Sequence, residues 1–368
     1  MILPLLFLYT FIGIALINIG YYILFANYSF SKVSRGSTKA NFPISIIVCS
    51  KNEEKNLQEN IPLWLAQNYH NFELILINDS SSDNTLSVIE KFSNQDSRIK
   101  VVDVKNIEAF WANKKYALTL GLKKAINNNL LFTDADCKPA SNSWLEEMAS
   151  HFNQEKQLVL GYGPYINNKG FLNALIRFET LITAIQYFSY AKANNPYMGV
   201  GRNLAYTSEL YYKNNGFMSH IKITSGDDDL FVNEVATKTN VAICDTPESF
   251  TYSVPKKTWK AWILQKRRHI TTVSHYKTKH KIALGAYYIS TLLFWIGVAM
   301  SFFILNWIVA LTIVATRVLF QYISVGKGAK KLQESNLILW IPFLELFLIC
   351  FQMFIFISNS ISKPSPWK

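Results

Sequence analysis

The chain has 368 residues, half of them hydrophobic, with 37 basic against 25 acidic side chains. That length exceeds one small domain and leaves room for a globular core beside something else. The four cysteines, Cys49, Cys137, Cys244 and Cys350, show no C-x-x-C or zinc spacing, which leaves buried thiols in a reducing compartment.

The first element is apolar. Residues 2–26 carry no charge and are long enough to span a bilayer with some tilt. They lack a basic start and a small-residue cleavage site, so an uncleaved anchor over 1–27 is expected rather than a signal peptide. Lys32, Arg35 and Lys39 follow in a linker, 28–42, and this basic bias places the next domain in the cytosol.

From residue 43 the pattern becomes alternating strands and helices. The β-branched run 45–49 and the stretches 73–77, 99–104 and 130–133 read as strands. Between them, 57–66, 81–92 and 114–127 read as helices. Strands separated by helices of this length imply parallel pairing with right-handed crossovers, and ligands then sit beyond the carboxyl ends of the strands. The polar clusters fall there: Ser50-Lys51-Asn52-Glu53, Asn78-Asp79, and Asp134-Ala135-Asp136. A D-x-D at a strand end suits a hard divalent cation with oxygen ligands, although two such aspartates also occur in solvated turns. No G-x-G-x-x-G or P-loop is present, which argues against a dinucleotide oxidoreductase or a Walker-type NTPase.

After the fourth strand the chain is less regular. Residues 170–190 are helical with Phe171, Leu175, Phe178, Ile182 and Ile185 on one face, either a core stripe or a helix on the membrane surface. The run 199–206, GVGRNLAY, reads as a glycine-flanked strand close to a ligand or as ordinary turn chemistry. Asp227, Asp228 and Asp229 precede a helix over 230–237, where they can simply cap it and favour its dipole.

Residues 255–281 hold nine Lys or Arg and no acid, interleaved with Trp259, Trp262, Ile263, Ile270 and Val273. Standing directly before a hydrophobic hairpin, this basic amphipathic segment is expected to dock on anionic lipid with its tryptophans at the headgroups. No nucleic-acid partner is expected. Gln265 and Arg268 share one of its faces. The region 282–368 reads as two helices joined near Asn306-Trp307, basic residues at Lys327, Lys330 and Lys331, and a further candidate over 337–357. Intramembrane Arg317 and Glu345 face other helices or a polar path, or else lie near the interface. Four spans would leave residues 363–368 outside; a re-entrant last segment would keep them inside.

Taken together, the motifs over 43–276 resemble membrane-associated family 2 glycosyltransferases, the group with cellulose, hyaluronan and poly-N-acetylglucosamine synthases and ceramide glucosyltransferase. Val48-Cys49-Ser50-Lys51-Asn52-Glu53-Glu54 is similar to the family's V-P-A-Y-N-E-E. Ile77 to Asp83 is similar to V-D-D-G-S-T-D, Asn113-Lys114-Lys115-Tyr116-Ala117-Leu118 to G-K-x-x-A-L, and Asp134-Ala135-Asp136 to the D-x-D. Asp227 falls at the aspartate of T-E-D or G-E-D, and Gln265 to His269 at Q-x-x-R-W.

The resemblance implies an α/β GT-A fold over 43–254 with a mostly parallel sheet and flanking transmembrane helices. It implies a nucleotide-sugar donor, with UDP expected, Mg2+ or Mn2+, and inversion at the anomeric carbon. Glu53 and Asp79 would contact uracil or ribose, Lys114 the nucleotide side, and Asp136, with Asp134 nearby, the metal-bound diphosphate. Arg268, with Gln265 beside it, would stabilise the leaving group. Asp227 would be the general base for a lipid or glycan acceptor. The expected location is the bacterial inner membrane, with the catalytic domain cytoplasmic. Asn78, Gly226 and His269 depart from the family pattern, and the last departure bears on acceptor identity and on a processive mode.

Overall fold

The computed structural model describes residues 2–36, 41–105 and 113–362. Lys39 of the linker and the tail 363–368 lie outside them. In chain order the elements are α1 (Ile2–Ser29), β1 (Ile44–Ser50), α2 (Glu54–Leu65), β2 (Phe72–Asp79), α3 (Thr85–Ser93), β3 (Ile99–Val104) and α4 (Asn113–Lys124). There follow β4 (Asn129–Asp134), β5 (Cys137–Pro139), α5 (Trp144–Ala149), β6 (Leu158–Leu160), α6 (Phe171–Lys192), β7 (Leu204–Thr207), α7 (Ser208–Lys213) and α8 (Asp229–Val235). The chain closes with β8 (Val241–Ile243), β9 (Thr251–Ser253), α9 (Trp259–Val273), α10 (Thr278–Ile304), α11 (Trp307–Lys331) and α12 (Ile341–Ile361).

These elements fall into two compact units. One combines Val33–Ile166 with Asn194–Pro255 and holds all nine described strands. Its seven-stranded sheet runs β3-β2-β1-β4-β7-β6-β8, and β5 pairs with β9 in a separate ribbon. β1 pairs in parallel with β2 and β4, and β2 with β3; β7 alone runs antiparallel to its neighbours β4 and β6. Ile46, Leu74 and Leu131 on one face of the sheet and Ile47 and Ile75 on the other are at most 1% exposed. Burial on both faces is why these strands read as continuous apolar runs rather than alternating ones. Each such side chain taken from water contributes roughly 1.5–3 kcal/mol. Trp64 and Trp144 are fully buried in the same core, and the Trp144 indole N–H donates to Asn203 Oδ1 at 3.0 Å. α4 lies close on β2 because residue 121 is glycine: a Cβ there would stand 2.2 Å from Ile77 Cδ1.

The other unit combines the chain through Lys32, Asn167–Ala193 and the chain from Lys256 on. Four of its helical segments are long and apolar enough to cross a membrane: Ile2–Ser29, Thr278–Ile304, Trp307–Lys331 and Ser335–Ile361. Arg317 and Glu345, left open by the sequence, face other helices. Their ion pair is 2.7 Å long, and Arg317 also donates to Asn18 Oδ1 and Gln321 Oε1. Tyr22 and Trp295 donate to Glu345. A fully paired buried charge has its desolvation offset by its partners, which a lone one has not.

Leu175, Phe178, Ile182 and Ile185 of α6 are buried, as a core stripe requires, whereas Phe171 at the start of the helix is 39% exposed. One sequence expectation needs correction here. Trp262 is not at a lipid surface. It is 0% exposed and stacks on Phe351 of α12, with ring centroids 4.0 Å apart and planes 8° from parallel. An apolar face of a basic helix serves as well against another helix as against lipid, and α12 supplies an aromatic partner. Trp259 remains 43% exposed.

Candidate active site

The site is built where the sheet's carboxyl ends meet α4 and the start of α8. The turns after β1 and β2 are stitched together. The amide of Asn52 donates to Ser81 Oγ at 3.0 Å, that of Glu53 to Thr85 Oγ1 at 2.8 Å, and Asn52 Oδ1 accepts from the Ser82 amide at 2.8 Å. Asn52 and Ser80 sit at φ 58° and 52°, in the left-handed region that Asn tolerates and a branched residue does not. This lacing holds Glu53 at the head of α2, where its Oε2 accepts from Asn56 Nδ2.

Asp79 ends β2 and is 3% exposed; burial raises its carboxyl, against the opposing charges of Lys51 and Lys114. Its neighbour Asn78 donates to Asp103 Oδ1 at 2.7 Å. That donation accounts for an amide where the family has an acid, because a carboxylate there would confront Asp103.

Lys114 is the centre of the arrangement. From the first turn of α4 its ammonium lies 3.2 Å from Asp134 Oδ1 and 2.9 Å from Asp227 Oδ2. Burial disfavours its charge, but Asp134, Asp227 and Asp228 keep it protonated well above the usual lysine range. Burial likewise works to raise Asp227, yet Lys114, with Lys115 behind it, holds that carboxyl below the ordinary carboxylate range. The next residue, Lys115, is a latch. Its ammonium donates to His220 O at 2.8 Å and Ile223 O at 3.1 Å and meets His220 Nδ1 at 2.7 Å. Burial brings Lys115 down to about 8, and burial with the Lys115 charge brings His220 down to about 4, so the imidazole accepts. Two consecutive lysines thus fix both Asp227 and the loop that leads to it.

The three aspartates divide their labour. Asp228 caps α8, its Oδ1 accepting from the Asp229 amide at 2.7 Å, while its Oδ2 accepts from the Gly201 amide at 2.6 Å. Asp229 Oδ1 accepts from the Leu230 amide. The capping expected from the sequence therefore falls to Asp228 and Asp229, and Asp227 turns to Lys114. Burial and the neighbouring carboxylates push Asp228 up to about 7. Gly226, at φ +95°, replaces the family's acid because a Cβ there would stand 2.5 Å from Leu230 Cδ1. Between these groups lies a cavity of about 20 Å³ lined by Cys49, Lys114, Asp134, Gly201, Asp227 and Asp228.

Asp134, Asp136 and Cys137 bring one ligand atom each within 4.8 Å of one another. The two carboxylates suit a hard divalent ion. Cys137 does not: its sulfur lies 2.9 Å from Ser253 Oγ, and burial holds the thiol well above its usual range. Gln265 and Arg268 lie half-buried on α9 of the helical unit, where burial lowers Arg268. Sequence reasoning missed the Lys115–His220 latch and the Asp228–Gly201 bond. Two adjacent lysines give no sign of pointing to different partners, and the glycines of GVGRNLAY read as a strand near a ligand or as a turn, not as a partner of Asp228.

Residues 45–213 match the family described as Glycosyl transferase family 2. The chain carries a family 2 glycosyltransferase domain. The match contains Glu53, Asp79, Lys114, Asp134 and Asp136; Asp227, Gln265 and Arg268 lie beyond it. Among curated proteins the chain is similar to 4,4'-diaponeurosporenoate glycosyltransferase of Staphylococcus haemolyticus, 27% identical over 195 residues, 51% of this chain and 50% of that one. It is also similar to UDP-Glc:alpha-D-GlcNAc-diphosphoundecaprenol beta-1,3-glucosyltransferase WfaP of Escherichia coli, 29% identical over 132 residues, 35% of this chain and 48% of that one. The chain spans about half the length of these curated relatives. Among solved structures, mannosyltransferase PcManGT from Pyrobaculum calidifontis, in complex with GDP-Man and Mn2+, superposes with a TM-score of 0.58 at 15% identity. The match covers 92% of this chain and 99% of that one. The family 2 domain thus has the GT-A-like α/β fold, with a mostly parallel seven-stranded sheet and four apolar helices beside it.

Proposed function

We propose that this chain is an inverting glycosyltransferase that moves a sugar from a nucleotide-diphospho-sugar to a lipid-linked or membrane-associated acceptor. The observation that carries the reading is that one ammonium, Lys114, joins the D-x-D acid Asp134 to Asp227, so a donor side and an acceptor side meet at a single charge. Asp134 and Asp136 would hold Mg2+ or Mn2+, which when bound anchors the diphosphate and neutralises charge on it. Glu53 and Asp79 face the nucleoside, with UDP as the expected carrier. Asp227 takes the acceptor proton, since a sugar or lipid-linked hydroxyl needs a carboxylate base at neutral pH. Before it can do so, Lys114 must shift its charge from Asp227 toward the incoming donor. Arg268, with Gln265, stabilises the leaving diphosphate.

The names of the relatives support a lipid-linked acceptor, and the apolar helices support a membrane location with the catalytic unit cytoplasmic. A processive polysaccharide synthase is the second reading, favoured by the motif set alone. A screen of UDP- and GDP-sugars with Mn2+ and a polyprenyl-diphosphate-linked sugar tests the first. Single additions support it and a ladder of products supports the second. No turnover with any donor, from enzyme that is folded, removes both.

A further inference from the structure

Arg202 sits at the D-x-D and has no role in the reading above. Thr133 and Thr251 both donate their hydroxyls to its carbonyl, at 3.0 and 2.8 Å, which pins its backbone against the residue preceding Asp134. Its guanidinium lies over the Tyr165 ring, 4.3 Å from the centroid. Gly163 makes room for it: a Cβ there would stand 3.0 Å from Arg202 Cβ and 3.5 Å from Nε. Its Nη1 is buried and has no hydrogen-bond partner. Burial disfavours the guanidinium charge, and the carboxylates of Asp134 and Asp136 favour it. A buried guanidinium donor without an acceptor is costly, and a stacked planar fork is shaped for a phosphate.

We propose that Arg202, stacked on Tyr165 and seated in the space left by Gly163, is a ligand of the donor's diphosphate beside Asp134 and Asp136. Once the D-x-D acids are engaged by a divalent ion, the diphosphate becomes the anion within reach of that fork. This rests on the nucleotide-sugar reading and adds to it a cation from the catalytic unit itself.

The test is calorimetry on the full chain in detergent with MnCl2, titrating UDP, GDP, UMP and GMP. Arg202→Gln should weaken nucleoside diphosphate binding about ten- to a hundredfold, as expected on losing charge-assisted hydrogen bonds, and monophosphate binding far less. Arg202→Lys should keep part of the affinity, and Tyr165→Phe, which keeps the ring, nearly all. Equal diphosphate affinity for wild type and Arg202→Gln overturns the proposal. Equal losses for mono- and diphosphate also overturn it, because they mark a structural role. Failure of the wild type to bind either diphosphate overturns instead the donor reading beneath it.

A second inference concerns the last apolar segment and rests on contacts within the helical unit alone. Lys331 donates to Ser31 Oγ at 3.0 Å and Tyr21 to Ala283 O at 2.7 Å, so the end of α1, the end of α11 and the start of α10 share one face. The segment leaves that face at Glu334, which pairs with Arg177 of α6. It then runs inward to Glu345, which meets Arg317, about 21 Å of helix rise from Lys331. Its far end is tied by Asn359, which exchanges hydrogen bonds with Arg267 of α9 at 2.8 and 2.9 Å. The neighbouring Lys266 pairs with Glu179, two residues from Arg177, and α9 ends five residues before α10 begins. A helix continuing outward from Glu345 would carry Asn359 about 21 Å further from that face, away from Arg267.

The geometry points to a re-entrant segment: Ser335–Ile361 enters and returns by the same membrane face, leaving three helices that cross. Single cysteines at Ser335, Ser362 and Asn306 in a cysteine-free background, labelled with an impermeant maleimide on spheroplasts, decide it. Ser362→Cys should label as Ser335→Cys does, and Asn306→Cys oppositely. Ser362→Cys labelling together with Asn306→Cys would show a fourth crossing and overturn it.

Discussion

The ammonium of Lys114 stands 2.9 Å from Asp227 Oδ2, and this contact sets the proton affinity of the proposed base. Asp227 is buried enough that its carboxyl would otherwise rise, yet Lys114 holds it below the ordinary range. Replacing Lys114 with Gln removes that charge, so the Asp227 pKa must rise. The acidic limb of kcat/KM against pH should then move to higher pH, because an adjacent opposite charge that favoured the carboxylate is gone. A pH–rate profile of wild type and Lys114→Gln measures it. An unmoved limb would show that Lys114 does not govern the base.

A second expectation concerns the first strand-end pair. Asn78→Asp restores the family's acid but sets a carboxylate against Asp103, where an amide now donates at 2.7 Å. The new acid is buried and repelled, so its folded pKa lies above its unfolded value. The penalty is then absent when the acid is protonated in both states and grows as pH rises past about 4. Loss of roughly 1–3 kcal/mol at neutral pH is expected, with little loss at pH 3.5. Denaturant unfolding at the two pH values reads the difference, and equal stability at both would contradict it.

Much of the catalytic unit was legible in the sequence because its parallel strands, buried on both faces, are short β-branched runs with acids at their ends. The strand over Ile99–Val104 has the predicted bounds, and β1, β2 and β4 differ from theirs by one or two residues. The part that escaped is the set of contacts that depend on direction. Nothing in Lys114-Lys115 says that one side chain reaches two acids and the other two carbonyls. Nothing in Asp227-Asp228-Asp229 separates the cap from the residue that faces Lys114. Trp262 was misplaced for a related reason: amphipathicity reports a buried face, and lipid and Phe351 bury it equally well.

In the helical unit, the Arg317–Glu345 pair is buried together with Asn18, Gln321 and Tyr22, and the half-buried Trp295 donates to Glu345. Removing one partner strands the other charge, so Arg317→Leu and Glu345→Leu should each destabilise by about 3–5 kcal/mol. The double variant should recover part of that loss, the unpaired amides keeping the rest. Apparent melting temperatures in detergent for the three variants test this, and additive losses in the double would show that the two charges are not coupled.

The central claim is that Asp136 serves the donor and Asp227 the acceptor proton. Calorimetric donor affinity and turnover, measured on the same samples of Asp136→Asn and Asp227→Asn, test it most directly. Asp136→Asn should weaken metal-dependent binding of the nucleotide-sugar as well as turnover. Asp227→Asn keeps the shape but cannot take a proton. Donor binding should survive while turnover falls by at least about a hundredfold, within the 10²–10⁴ range typical of a general base. An Asp227→Asn enzyme with near-normal turnover, or one that no longer binds donor, would contradict the account.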